Sequence, residues 1–123
     1  MAKKEARIED LRKRLLALQN EINAATARIQ LHQQSVIRAN MSFSGGNGRI
    51  WITPSLDGYD ISLSGASLQK QMYPFMKDRV GRDCDGFKQR NKDLKNQPFW
   101  RVSDFDLVRQ AVIHYADTGH RAP

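Results

Sequence analysis

Between Phe87 and Arg101 the chain reads Phe-Lys-Gln-Arg-Asn-Lys-Asp-Leu-Lys-Asn-Gln-Pro-Phe-Trp-Arg, which sets Lys88, Arg90, Lys92, Lys95 and Arg101 against a single acid, Asp93. Lysine and arginine bind phosphates, side-chain amides meet phosphates or base edges, and an exposed aromatic face stacks on an unpaired base. Lys88, Arg90, Lys92, Lys95, Trp100 and Arg101 are therefore the candidate nucleic-acid contacts. The competing reading is structural: Phe87, Phe99 and Trp100 fill a core, and the lysines are solvated in a loop. Exposure of these rings, and of Trp51, separates the two.

Catalytic chemistry has less to stand on. His32, His114 and His120 are scattered, and no Ser/His/Asp, Cys/His or metal-ligand spacing links them to other groups. Asp83-Cys84-Asp85-Gly86 places two carboxylates in a turn without the further oxygen ligands and distal Glu of a calcium loop, so it reads as turn chemistry. Asp93-Leu94-Lys95 could be set beside Asp57 or Asp60 as a nuclease-like acid and acid-x-lysine. It falls in an expected loop, however, where no core strand would hold its carboxylate beside a metal. Cys84 has no base near it in sequence to make it a nucleophile. The chain is read as non-enzymatic, with no cofactor and no metal.

Twenty Lys and Arg against thirteen Asp and Glu give a net charge of +7 over 123 residues, an excess that favours a partner carrying negative charge. The lone Cys84 excludes an internal disulfide and suits a reducing compartment, so the expected location is cytoplasmic. No apolar stretch approaches the roughly 18 residues that span a bilayer, and no membrane role is expected.

The elements that must position these residues begin with a helix. Steps of three and four residues from Ile8 give Leu11, Leu15, Leu18, Ile22, Ala25, Ile29, His32 and Val36, the a and d pattern of a coiled coil. No Gly or Pro interrupts the run from about Glu5 to Arg38. The spacing predicts a long coiled-coil-like helix within residues 1–43, pairing protomers, most simply as a dimer, through Ile8, Leu11, Leu15, Leu18, Ile22, Ile29 and Val36. Leu16, Leu31 and Ile37 widen the stripe, so packing on the chain's own body or docking to a partner helix stay open as alternatives.

Ser44-Gly45-Gly46-Asn47-Gly48 then breaks the chain and serves as a hinge to a small basic domain over 44–123. Arg49–Thr53 and Tyr59–Ser64 alternate as strands about Asp57-Gly58, a hairpin with Ile50 and Ile52 on one face and Trp51 on the other. Leu68, Met72, Met76 and Val80 recur as one helical stripe, complicated by Pro74 at a kink or restart near Tyr73. Gly86–Arg90 and Pro98–Val102 form a second strand pair. A last helix follows Ser103 as its cap, with Asp106 completing the capping box and Phe105, Val108, Ala111, Val112 and Tyr115 buried. The fold class is α+β: the long helix, then β-β-α-β-β-α with a largely antiparallel sheet and two helices on one face.

Two functions follow as expectations. One is a non-enzymatic oligomer that contacts the phosphate backbone of DNA or RNA through the basic, aromatic-containing hairpin. The other is a small inhibitor or adaptor, of the kind common among mobile-element products, that binds a larger nucleic-acid-handling protein complex.

Overall fold

The structure, a computed structural model, describes residues 2–24, 26–33, 41–88 and 97–119, with side chains described between 6 and 117 of those spans. Helix α1 runs over Ala2–Ile22, in a stretch of Ala, Leu, Arg, Lys and Glu that forms helix readily. Ion pairs from Arg12 to Glu9 at 3.3 Å and from Arg14 to Asp10 at 3.1 Å support its solvent side.

The helix expected to continue to about Arg38 stops at Ile22, and the reason is local. Asn23 accepts hydrogen bonds from the backbone N–H groups of Arg28 and Ile29 at 2.8 and 3.3 Å and donates to the Ile29 carbonyl at 2.7 Å. Arg28 donates to the Ile22 carbonyl at 2.6 Å, satisfying an acceptor at the helix end. The side chain of Gln19 accepts from the Leu31 N–H. Bonds of this kind compete with helix propagation, and here they turn the chain back along α1 into strand β1, Gln30–Gln33.

Strands β2 (Met41–Ser44), β3 (Arg49–Ser55), β4 (Gly58–Ser64), β5 (Gly86–Lys88) and β6 (Gln97–Val102) complete one antiparallel sheet in the order β1-β2-β3-β4-β6-β5. Gly45–Gly48 therefore closes the β2–β3 hairpin instead of hinging a helix to a body. Gly48 has a φ of +61°, and a Cβ there would stand 2.3 Å from the Ser64 carbonyl oxygen, so only glycine fits. The β3–β4 hairpin turns through Leu56 and Asp57, with Ser55 opposite Gly58. Among the described residues the β2 pairing reaches Ile52, and Pro54 of β3 lies beyond it.

Helix α2, Ala66–Val80, continues through Pro74 and ends at Gly81, whose N–H bonds the Lys77 carbonyl from the left-handed conformation. Helix α3, Phe105–His114, is capped by Asp104, whose carboxylate accepts from the Asp106 N–H at 2.9 Å; the cap expected at Ser103 is thus one residue later. A π-helical turn, Tyr115–Gly119, follows, and the buried Tyr115 hydroxyl donates to the Gly48 carbonyl at 3.1 Å.

All three helices bury their stripes in a single core with Met41, Phe43, Ile50, Ile52, Ile61, Leu63, Trp100 and Val102. Ile8, Leu11, Leu15, Leu18, Ile22 and Ile29 belong to that core, each 7 % exposed or less. The five α1 residues of the stripe assigned to oligomerisation, and Ile29 before β1, are thus covered by the chain's own core, which leaves those six residues off the surface a second copy would need. On its flank, Glu21 accepts from Arg109 of α3 at 2.5 Å. Ala25 and Val36 lie outside the described residues. The α+β class and the β-β-α-β-β-α order after residue 48 hold, with β1 and β2 added where helix was expected.

Candidate nucleic-acid interface

Alternation along the strands sorts the sheet into two faces. Ile50 and Ile52 turn to the core, so Arg49, Trp51 and Thr53 turn away from it; on β4 and β6 the same rule sends Asp60, Ser62, Phe99 and Arg101 away. Among the described residues the helices bury their stripes against the first face, with Ile50, Ile52, Ile61 and Leu63, and leave the second face free of helix. The strand register lines up His32, Ser42, Trp51, Ser62, Phe99 and Gly86 as one transverse row across all six strands. Gly86 matters to that row: a Cβ there would come within 2.9 Å of the Phe99 ring, so glycine lets the ring lie over β5.

The sheet is not flat at this end. β6 divides its pairing, with Gln97–Phe99 against β5 and Phe99–Val102 against β4. Lys88, on the edge strand, nonetheless sets its ammonium 3.0 Å from Asp60 of β4 and donates to the Thr53 hydroxyl of β3 at 3.1 Å. A lysine side chain reaches about 6 Å, and strands lie about 4.8 Å apart. The β5–β6 hairpin must therefore curl over the helix-free face to bring Lys88 that far.

Asp60 is the anchor of this arrangement. It is 4 % exposed and takes Arg101 in a bidentate pair, Nε to Oδ1 at 2.8 Å and Nη2 to Oδ2 at 3.0 Å, beside the Lys88 ammonium. Burial alone would raise its pKa, but the hydrogen bonds from Arg101 and Lys88, together with their charges, outweigh it and hold the carboxyl below its ordinary value. One carboxylate between two cations leaves a net positive charge. The same cations flank Phe99, Lys88 Nζ at 5.3 Å and the Arg101 guanidinium carbon at 5.5 Å from the ring centre. The Arg101 side chain is still 61 % exposed, so its guanidinium is fixed in orientation while remaining open to solvent. From the outer side, Arg101's backbone N–H donates to Asp85 at 2.7 Å, and Arg82 bridges Asp85 and the Arg101 carbonyl. Arg82's hydrogen bond outweighs burial and keeps the Asp85 carboxyl below its ordinary value too.

Of the expected contacts, the structure brings Lys88 and Arg101 together and removes Trp100. Trp100 is fully buried, its ring 5.0 Å from Tyr73 and its Nε1 donating to the Arg82 carbonyl at 3.0 Å, so it is a core residue and presents no stacking surface. Arg90, Lys92 and Lys95 lie outside the described residues, as does Asp93 of the nuclease-like triplet. Phe87 is 60 % exposed. Arg49, exposed and bonded to Ser42 at 3.3 Å, and the half-buried Trp51 and Phe99 were absent from the expected contact set. The signal for the first two was present in the Ile50/Ile52 alternation. The basic start of α1 is largely spent internally: Arg7 donates to the Ser55 and Leu56 carbonyls, while Arg12 and Arg14 pair with acids of their own helix.

Among the described residues no cluster of three or more His, Cys, Asp or Glu side chains is placed to hold a metal ion, and no helix is long and apolar enough to cross a membrane. Asp83 accepts from the Tyr73 hydroxyl at 3.0 Å and pairs with Lys77 at 3.5 Å, so the Asp83–Asp85 turn is knitted by its neighbours. Comparison with protein-family models, with curated proteins and with solved structures gives no match. The chemistry on offer is that of an anion-attracting face with aromatic and planar cationic groups.

Proposed function

We propose that this chain is a non-enzymatic nucleic-acid-binding protein that meets its ligand with the helix-free face of the sheet and the β5–β6 hairpin curled over it. The observation that carries this reading is the grouping of Arg101 and Lys88 on Asp60, around Phe99 and on the same face as Arg49 and Trp51. Among the described residues three cations share that face with one carboxylate, in a chain of net charge +7. Arg90, Lys92 and Lys95 add three further positive charges in the sequence between β5 and β6. With a single cysteine, the protein suits a reducing compartment such as the cytoplasm.

Binding of this kind is electrostatic in its main part and weakens as salt rises. A salt titration of fluorescent oligonucleotides by anisotropy is expected to give a linear fall of log affinity with log salt. Neutralising Arg49, Arg90, Lys92 and Lys95 together should lower both the affinity and the slope, by about one unit of slope for each phosphate that no longer meets a cation. Absence of binding at low salt would overturn the proposal.

A second reading, an adaptor or inhibitor that docks on a larger protein complex, is favoured by one observation. Phe87 stands 60 % exposed on β5, an edge strand. A strand edge beside an exposed ring is a template for pairing with another chain.

A further inference from the structure

We infer that the helix-free face takes single-stranded rather than duplex nucleic acid, with bases stacked on Trp51 and on the Arg101 guanidinium. This specifies the ligand class of the proposal above and rests on it. Bases inside a duplex have both faces covered by their neighbours, and a protein reads them by placing a helix or a two-stranded ribbon in a groove. All three helices among the described residues are committed to the opposite face, with their apolar stripes in the core. Strand β5 is tied down on the sheet by Lys88, which reaches Asp60 and Thr53. Among the described residues no element projects to enter a groove.

What the face does offer is suited to unpaired bases. Trp51 and Phe99, both half-buried, stand in one transverse row with the buried Ser62 between them, two strands or about 10 Å apart, so it is the outer edge of each ring that a base would meet. The Arg101 guanidinium lies 5.5 Å from the Phe99 ring, held by two hydrogen bonds to Asp60 and open on its outer side, which makes it a pre-oriented plane on which a base can stack. Arg49 lies two residues before Trp51 on β3, and Arg101 lies two residues after Phe99 on β6. A strand whose bases meet the row therefore finds a cation near its backbone on either side.

The test compares a fluorescent oligo-dT and an oligo-U of about 15 nucleotides with a duplex of equal length, under the same salt. The single strands should bind at least tenfold more tightly than the duplex, and oligo-dT should quench the fluorescence of Trp51, with the buried Trp100 as an internal reference. Arg101→Lys keeps the charge and loses the plane; it should weaken oligo-dT binding about fivefold or more while leaving the salt slope unchanged. Trp51→Leu should weaken it by about 5- to 100-fold, the range found per stacked base. Equal or tighter binding of the duplex, single-strand binding without quenching, or an unaltered affinity in folded Arg101→Lys protein would overturn the inference and leave the nucleic-acid reading standing. Failure of every oligonucleotide to bind at low salt would overturn both. The quenching experiment needs only wild-type protein, so the outcome does not depend on a variant that fails to fold.

Discussion

Asp60 holds two cations from two different strands, and its removal has two consequences of different kind. Asp60→Asn keeps the shape but gives up the charge that Arg101 and Lys88 are bonded to, and should lower stability by about 1–3 kcal/mol in urea unfolding at pH 7. The pH dependence has a definite sign. The folded carboxyl titrates below its ordinary value of 3.8, so the stability it contributes is complete above that value and is lost as pH falls through the lower, folded one. The gap between wild type and Asp60→Asn should therefore close in acid below about pH 4; a gap unchanged at pH 3 would remove Asp60 from its anchoring role. Residue types in the sequence made the basic cluster legible and misassigned one of its members. Trp100 sits among cations in the sequence, but Trp100 and Val102 share parity on β6, and that parity belongs to the core. Composition does not carry parity; only the strand register does.

Among the elements, α1 was the one where sequence periodicity and structure diverged most. The stripe Ile8, Leu11, Leu15, Leu18 and Ile22 is a helical stripe in the structure as well, and its spacing is equally that of a coiled-coil seam and of a helix lying on a sheet. Ile29 continues the three-four spacing by position alone, since it precedes a strand. The stop is made by Gln19, Asn23 and Arg28, whose bonds reach residues that only tertiary structure brings near, and none of them is a Gly or Pro that would mark a helix end. The two interpretations of the stripe separate experimentally. Leu15→Ala, at a position with no exposure, should cost about 2–5 kcal/mol in chemical denaturation, with the light-scattering mass of the folded protein the same as wild type. A halved mass with little loss of monomer stability would instead indicate that the stripe pairs copies. The β3–β4 hairpin and α3 were more legible because their signals are local: a period of two about Asp57-Gly58, and a cap beside an apolar stripe. Even so, the hairpin loop was placed to within a residue or two, and the cap one residue early, as neighbouring side chains compete for the same backbone donors.

Across the whole molecule, one core joins the first helix to the last. Residues 2–22 and 97–119 meet through the sheet, and Arg109 pairs with Glu21 from opposite ends of the sequence. Unfolding is expected to be a single transition in which far-ultraviolet circular dichroism, reporting the helices, and the fluorescence of the buried Trp100 coincide along a urea gradient; two separated transitions would show that α1 detaches from the rest. The sheet's two faces also differ in what a mutation there does. On the central strands β3 and β4, residues whose side chains enter the core alternate with residues of the helix-free face, Ile50 and Ile52 with Arg49, Trp51 and Thr53, Ile61 and Leu63 with Ser62 and Ser64. Inheritance can thus rewrite the helix-free face at every second codon while the intervening codons keep the scaffold, so descendants of this chain are free to change that surface faster than they lose their shape.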